Sequence, residues 1–148
     1  MSELEQQIRA DLKESMKARD KQRSNAIRQL LSALQYEKTS SGSELVDADI
    51  LTVIAREIKK RRESVTTYRD AGRDELAATE EAEIAVLQSY QPAQLSDAEL
   101  EELVDSCIAD TGASSMREMG AVMKAATAQA AGQADGARIS AVVKAKLS

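Results

Sequence analysis

A chain of 148 residues, 43% hydrophobic and 30% charged, is long enough to bury a core and polar enough to remain in solution. It contains no His, Phe or Trp and one Cys, which removes the commonest general base, the usual metal ligand and any internal disulfide. A net charge of -5 and a pI near 4.9 exclude a protein that coats nucleic acid through bulk positive charge.

The core must come from Leu, Ile, Val, Met and Ala, residues that mostly favour helix, and Pro92 is the one proline. Leu4, Ile8, Leu12 and Met16 recur at helical spacing and predict a first helix, opened by a capping box at Ser2-Glu3-Leu4-Glu5. Ile27, Leu30, Leu31 and Leu34 predict a second, starting near Asp20 and ending around Ser40-Ser41-Gly42. A third runs from an Asp47 cap to Ala71-Gly72, where glycine supplies a left-handed stop. A fourth begins near Arg73, carries Leu76, Ile84 and Leu87 with the acidic run Glu80-Glu81-Ala82-Glu83, and ends at Tyr90-Gln91-Pro92.

Pro92 is the strongest boundary signal. Leu95-Ser96-Asp97-Ala98-Glu99 follows as a second capping box with Leu95 as the hydrophobic staple. Three shorter helices are expected after it. One covers roughly 97–111. A second opens at Ser114 or Ser115 and carries Met116, Met119, Met123 and Ala126 before stopping near Gly132. The last opens at Asp135-Gly136 with Ile139, Val142, Val143 and Leu147. The expected fold is all-α: a four-helix N-terminal subdomain over 1–94 and a smaller three-helix C-terminal subdomain over 95–148. Cys107 shares a helical face with Leu100, Leu103, Val104 and Ile108 and is expected as a core thiol.

Charge is unevenly spread. Residues 1–72 carry 14 Lys/Arg against 12 acids, residues 73–115 carry Arg73 against 11 acids, and residues 116–148 carry 5 Lys/Arg against Glu118 and Asp135. A polyanion would meet the two ends and avoid the middle. No glycine-rich phosphate loop, thiolate metal set or nucleophile–base pairing is present, and the clustered acids of 80–83 spread over different helix faces. No active site, metal or cofactor is expected. No stretch approaches the ~18 apolar residues that span a bilayer, and the amphipathic N-terminus lacks the apolar core of a signal peptide. With a lone cysteine, these features point to the cytoplasm and away from membranes.

Four consecutive cations stand in Glu57-Ile58-Lys59-Lys60-Arg61-Arg62-Glu63. On a helical wheel Leu51, Ile54, Ile58 and Val65 fall within about 60° of one another, with Arg61 at one edge of the stripe and Arg62 on its other shoulder. Arg61 and Arg62 are therefore candidates for partly buried ion pairs with Glu80, Glu81 or Glu83. Lys59 and Lys60 point away from the stripe, where they can reach a phosphate.

The order and spacing of these features resembles the GatB/YqeY family over nearly the whole chain. The resemblance is carried by Met16-Lys17-Ala18-Arg19-Asp20-Lys21, by Ile27-Arg28-Gln29-Leu30-Leu31 and by the basic run with Ala71-Gly72-Arg73. It continues through Tyr90-Gln91-Pro92-Ala93-Gln94-Leu95-Ser96, Thr111-Gly112-Ala113-Ser114-Ser115-Met116, Met119-Gly120 and Ala134-Asp135-Gly136. It implies a relative of the helical tail of the B subunit of glutamine-dependent aminoacyl-tRNA amidotransferase, which helps hold tRNA while the catalytic domains lie elsewhere. The partner it implies is tRNA or an aminoacyl-tRNA-modifying enzyme. Where the family often carries basic residues, this sequence has Ala121, Gln133 and Ala137.

The reading is thus a non-catalytic accessory module contacting tRNA weakly, with Lys59, Lys60, Arg117, Lys124, Arg138 and Lys144 as the candidate contacts. Lys146, on the apolar face of the last helix, reaches solvent only by snorkelling, and Asp135 is expected to cap that helix. The alternative is a protein-interaction adaptor using the methionine stripe 116, 119, 123 as an apolar groove, where core packing is the plainer reading. An amide-transfer activity of its own has only the family resemblance behind it.

Overall fold

The computed structural model describes residues 1–148 and contains seven α-helices and one 3-10 turn. The helices are α1 (Glu3–Lys17), α2 (Lys21–Ser41), α3 (Asp47–Asp70), α4 (Asp74–Gln88), α5 (Asp97–Thr111), α6 (Met119–Ala130) and α7 (Gly136–Leu147); the 3-10 turn is Met116–Glu118. They form two compact units, Met1–Gln91 and Pro92–Ser148. The division falls at Pro92 itself, because the residues just after it bond into the second unit. Gln94 donates its side-chain amide to the Gly132 carbonyl at 3.1 Å, and the Leu95 N–H donates to the Gln133 carbonyl at 2.7 Å.

The first unit contains α1–α4, with α3 packed most extensively on α4, α1 on α2 and α2 on α4. Its core gathers Ile8, Ile27, Leu30, Leu34, Ile50, Val53, Ile54, Ile58 and Leu87. Such aliphatic side chains each contribute about 1.5–3 kcal/mol when fully buried. The second unit packs α5, α6 and α7 around Leu100, Val104, Cys107, Val122, Ala126, Ile139 and Val143.

The helix ends follow local chemistry. The Ser96 hydroxyl accepts the Glu99 N–H at 3.1 Å while the Glu99 carboxylate accepts the Ser96 N–H at 3.0 Å, a complete capping box. Asp135 accepts the Arg138 N–H at 2.9 Å and starts α7. Gly42 and Gly112 stop α2 and α5 at φ 70° and 69°, in the left-handed region where a side chain is costly.

Three local expectations differ from the structure. Ser2 caps α1 through the Glu5 N–H, but the Glu5 side chain does not complete the box: it turns inward to Lys38 and Arg9. α3 begins after Val46, which offers no acceptor; Asp47 is the first helical residue, and its carboxylate takes the Leu4 N–H of α1 at 3.2 Å. The methionine stripe is not the buried face of its helix. Val122, Ala126 and Ala130 are, with Met119 and Met123 half-buried beside them and Met116 exposed on the 3-10 turn.

α6 ends on Ala131 with φ 46° and ψ 46°, a left-handed conformation that costs a Cβ-bearing residue about 1–2 kcal/mol. Ala131→Gly is expected to stabilise the protein by about 1 kcal/mol, read as a higher midpoint in thermal unfolding. An unchanged or lower midpoint would contradict this account of the α6 stop.

Candidate functional site

Three polar clusters cross the first unit, and each uses residues placed on inward faces by helical spacing. Arg61 projects from the Ile54–Ile58–Val65 stripe of α3 toward α4, leaving only 11% of its side chain exposed. It donates to Glu80 at 3.1 Å, to Glu83, and to the side-chain oxygen of Gln29 on α2. One guanidinium therefore joins α2, α3 and α4. Its planar fork suits this task, since two nitrogens serve three acceptors. Burial raises the Glu83 carboxyl above the ordinary carboxylate range, against the lowering pull of the Arg61 charge.

Glu5 on α1 is fully buried. Its Oε2 accepts from Lys38 of α2 at 2.7 Å and from Arg9 at 3.1 Å, and Lys38 also reaches Glu44 at 3.3 Å. Burial works to raise the Glu5 carboxyl, but the hydrogen bonds and charges of Lys38 and Arg9 together outweigh it and hold the group below its usual range. The third cluster joins the two ends of the unit: Tyr90 donates its hydroxyl to Asp11 at 2.7 Å, Gln7 donates to the same carboxylate at 2.8 Å, and Arg23 lies 3.8 Å away. Beside it the hydroxyls of Ser15 and Ser24 share a buried hydrogen bond of 2.9 Å. Burial, with the Asp11 bond, raises the Tyr90 hydroxyl far above its ordinary value, so it stays protonated and serves as a donor.

None of these clusters has the form of an active site. Each carboxylate in them is paired with a cation or a hydroxyl, although the buried Oε1 of Glu5 accepts no hydrogen bond, and no three His, Cys, Asp or Glu side chains converge to hold a metal. Cys107 is buried, and burial followed by the Asp110 charge raises its thiol, so it is a poor nucleophile. An open cleft of about 340 Å³ between α3 and α4 is lined by Arg62, Val65, Thr66, Glu81 and Ile84.

The candidate RNA contacts fall into two sets. Lys59, Arg117, Lys124 and Lys144 are exposed, and their charged ends make no ion pair or hydrogen bond within the chain. Lys60 is exposed but reaches Glu57 at 3.2 Å, one turn back on α3. Arg138 is committed to its own unit: it donates to the Leu95 carbonyl at 2.9 Å and to Asp97 at 3.0 Å, anchoring α7 to the start of α5. It is a structural tie first. Arg62 is exposed and lines the cleft. Lys146 snorkels to Asp105 of α5 at 3.1 Å. Ala121 and Ala137 are exposed, and Gln133 donates its N–H to the Ala130 carbonyl and accepts the Leu95 N–H at its own carbonyl. No helix is long and apolar enough to cross a membrane.

The description "Yqey-like protein" belongs to the family whose model matches residues 5–147, from α1 through α7. This chain belongs to the YqeY-like family. Among curated relatives, an uncharacterized protein of Schizosaccharomyces pombe is 36% identical over 90 residues, covering 61% of this chain and 73% of that protein. The mitochondrial protein named altered inheritance of mitochondria protein 41 is similar as well. The Pyrenophora tritici-repentis form is 28% identical over 103 residues, 68% of this chain and 57% of its own length. The Eremothecium gossypii form is 32% identical over 97 residues, 65% of this chain and 52% of its own length. This YqeY-like chain thus spans about half the length of the mitochondrial relatives it matches.

Sequence reasoning missed Glu5, Asp11, Ser15 and Ser24. Their signal was present: Glu5, Ile8, Asp11 and Ser15 lie on one face of α1. What hid them is that an isolated polar residue on such a face reads as solvated until its partner, 33 residues away for Glu5 and 79 for Asp11, is placed.

Proposed function

We propose that this YqeY-like chain is a non-catalytic accessory module that makes weak phosphate contacts with tRNA in the setting of tRNA-dependent amidotransferase systems. The observation that carries this reading is the exposure of Lys59, Arg117, Lys124 and Lys144 without internal partners, in a chain whose net charge is -5. Cations left unneutralised on an acidic protein gain from releasing counterions condensed on a nucleic acid. The resemblance of the chain to the helical tail of the amidotransferase B subunit supplies the tRNA setting. A cytoplasmic site rests on the lone buried thiol, which suits any reducing compartment.

The adaptor reading has less support, since Met116 is the one exposed large hydrophobic residue of the second unit. Affinity capture from lysate with and without nuclease separates the two. Under the accessory-module reading the protein recovers RNA enriched in tRNA, and nuclease removes both the RNA and the proteins that came with it. Recovery of one unchanged protein partner under both conditions, with no tRNA enrichment, would overturn it.

A further inference from the structure

The solvent face of α2 combines cations, amides and an exposed aromatic ring without an acid. Lys21, Asn25, Arg28, Ser32, Gln35 and Tyr36 all lie within about 100° of arc and span about 22 Å along the helix axis. All six are exposed, and Tyr36 keeps 72% of its surface in solvent. The side chains of these six make no hydrogen bond or ion pair within the chain. No Asp or Glu occurs between residues 21 and 36, although acids outnumber bases in the protein. The nearest acids at either end are engaged elsewhere: Asp20 turns back to accept the Arg23 N–H at 3.1 Å, and Glu37 pairs with Arg56 at 3.0 Å.

We propose that this acid-free face of α2 is a docking surface for single-stranded RNA, with Tyr36 as the platform on which a base stacks. The two cations supply phosphate contacts, the amides and hydroxyl supply hydrogen bonds to sugar and base edges, and an exposed aromatic ring supplies the stacking that single strands use. A lipid surface fits poorly, because the face carries no aliphatic side chain to enter a bilayer. An acidic peptide would use the cations and leave the ring and amides without a role. The proposal rests on the reading above only in taking RNA as the polyanion; it uses none of the residues assigned there.

The test is fluorescence anisotropy of the full chain with a labelled oligouridylate at low salt. Lys21→Glu with Arg28→Glu is expected to weaken binding at least tenfold and to reduce the log–log salt slope by about 1.4, about 0.7 for each cation. Tyr36→Ala is expected to weaken binding about tenfold, while Tyr36→Phe, which keeps the ring, matches wild type. Lys13→Glu, a charge reversal at an exposed and unpaired lysine of α1, leaves oligouridylate affinity within about twofold. All the substituted side chains are exposed, and circular dichroism confirms the fold of each variant. No binding by wild type, wild-type affinity in the α2 variants, or equal displacement by polyglutamate or phosphatidylserine vesicles would overturn the proposal. If tRNA is bound but the α2 variants bind it normally, this proposal fails and the accessory role stands. Should oligouridylate binding depend on α2 without any preference for tRNA, the accessory role fails and this proposal stands.

Discussion

Arg61→Ala is expected to cost about 3–4 kcal/mol of folding stability at neutral pH, among the largest effects of any single substitution in this chain. The change leaves Glu83, 7% exposed, without its counter-ion and removes the only side chain that joins α2, α3 and α4 through one group. The pH dependence follows from the direction of the Glu83 shift. A carboxyl raised in the fold takes up a proton on folding between its ordinary value of 4.5 and its folded value, so stability falls as pH rises through that window. Loss of Arg61 removes a lowering influence and extends the window upward. The cost of the substitution is therefore greatest at neutral pH and shrinks as acid protonates Glu83. Urea unfolding of both proteins at several pH values measures this, and a cost that is small, or the same at every pH, would contradict the role assigned to the pair.

Glu5→Gln is expected to cost about 2–3 kcal/mol, the worth of hydrogen bonds to charged groups when they are lost from a buried site. Lys38, with 14% of its side chain exposed, then keeps Glu44 as its one acidic partner. Because the Glu5 carboxyl is held low in the fold, its contribution is present above the ordinary carboxylate value and lost as pH falls through the folded one. Lys38 is raised chiefly by its bond to Glu5, so its contribution holds below its ordinary value of 10.5 and is lost only as pH rises beyond that. Across the neutral range both contributions are complete. The variant should lose stability there and show a flatter acid limb in a plot of unfolding free energy against pH; an unchanged acid limb would contradict the assignment.

Much of this fold was legible in sequence, and the reasons are local. Pro92, Gly42, Gly112 and the Ser96–Glu99 pair act through backbone chemistry within a few residues, so their effects need no knowledge of the rest of the chain. Arg61 was legible for a similar reason: it lies in the apolar register of Ile54, Ile58 and Val65, and a cation there must find an acid. The start of α3 was not, since Asp47 has the chemistry of a cap but spends its carboxylate on Leu4, 43 residues away. Arg138 looked like a surface cation and is tied to Leu95 and Asp97 for the same kind of reason. On α6 the spacing admitted two neighbouring faces, and close packing with α5 and α7 selected the one lined by small Val122, Ala126 and Ala130.

The YqeY-like family assignment brings a shared fold. The claim about what this member does rests on exposed, unpartnered cations and is an electrostatic claim. The affinity of the full chain for a tRNA transcript, measured across a range of salt concentrations beside an acidic helical protein of matched charge, tests it most directly. The account predicts binding clearly tighter than that of the matched protein, with an affinity that falls log-linearly as salt rises at about 0.9 per phosphate neutralised. Affinity indistinguishable from the matched protein at low salt would contradict it.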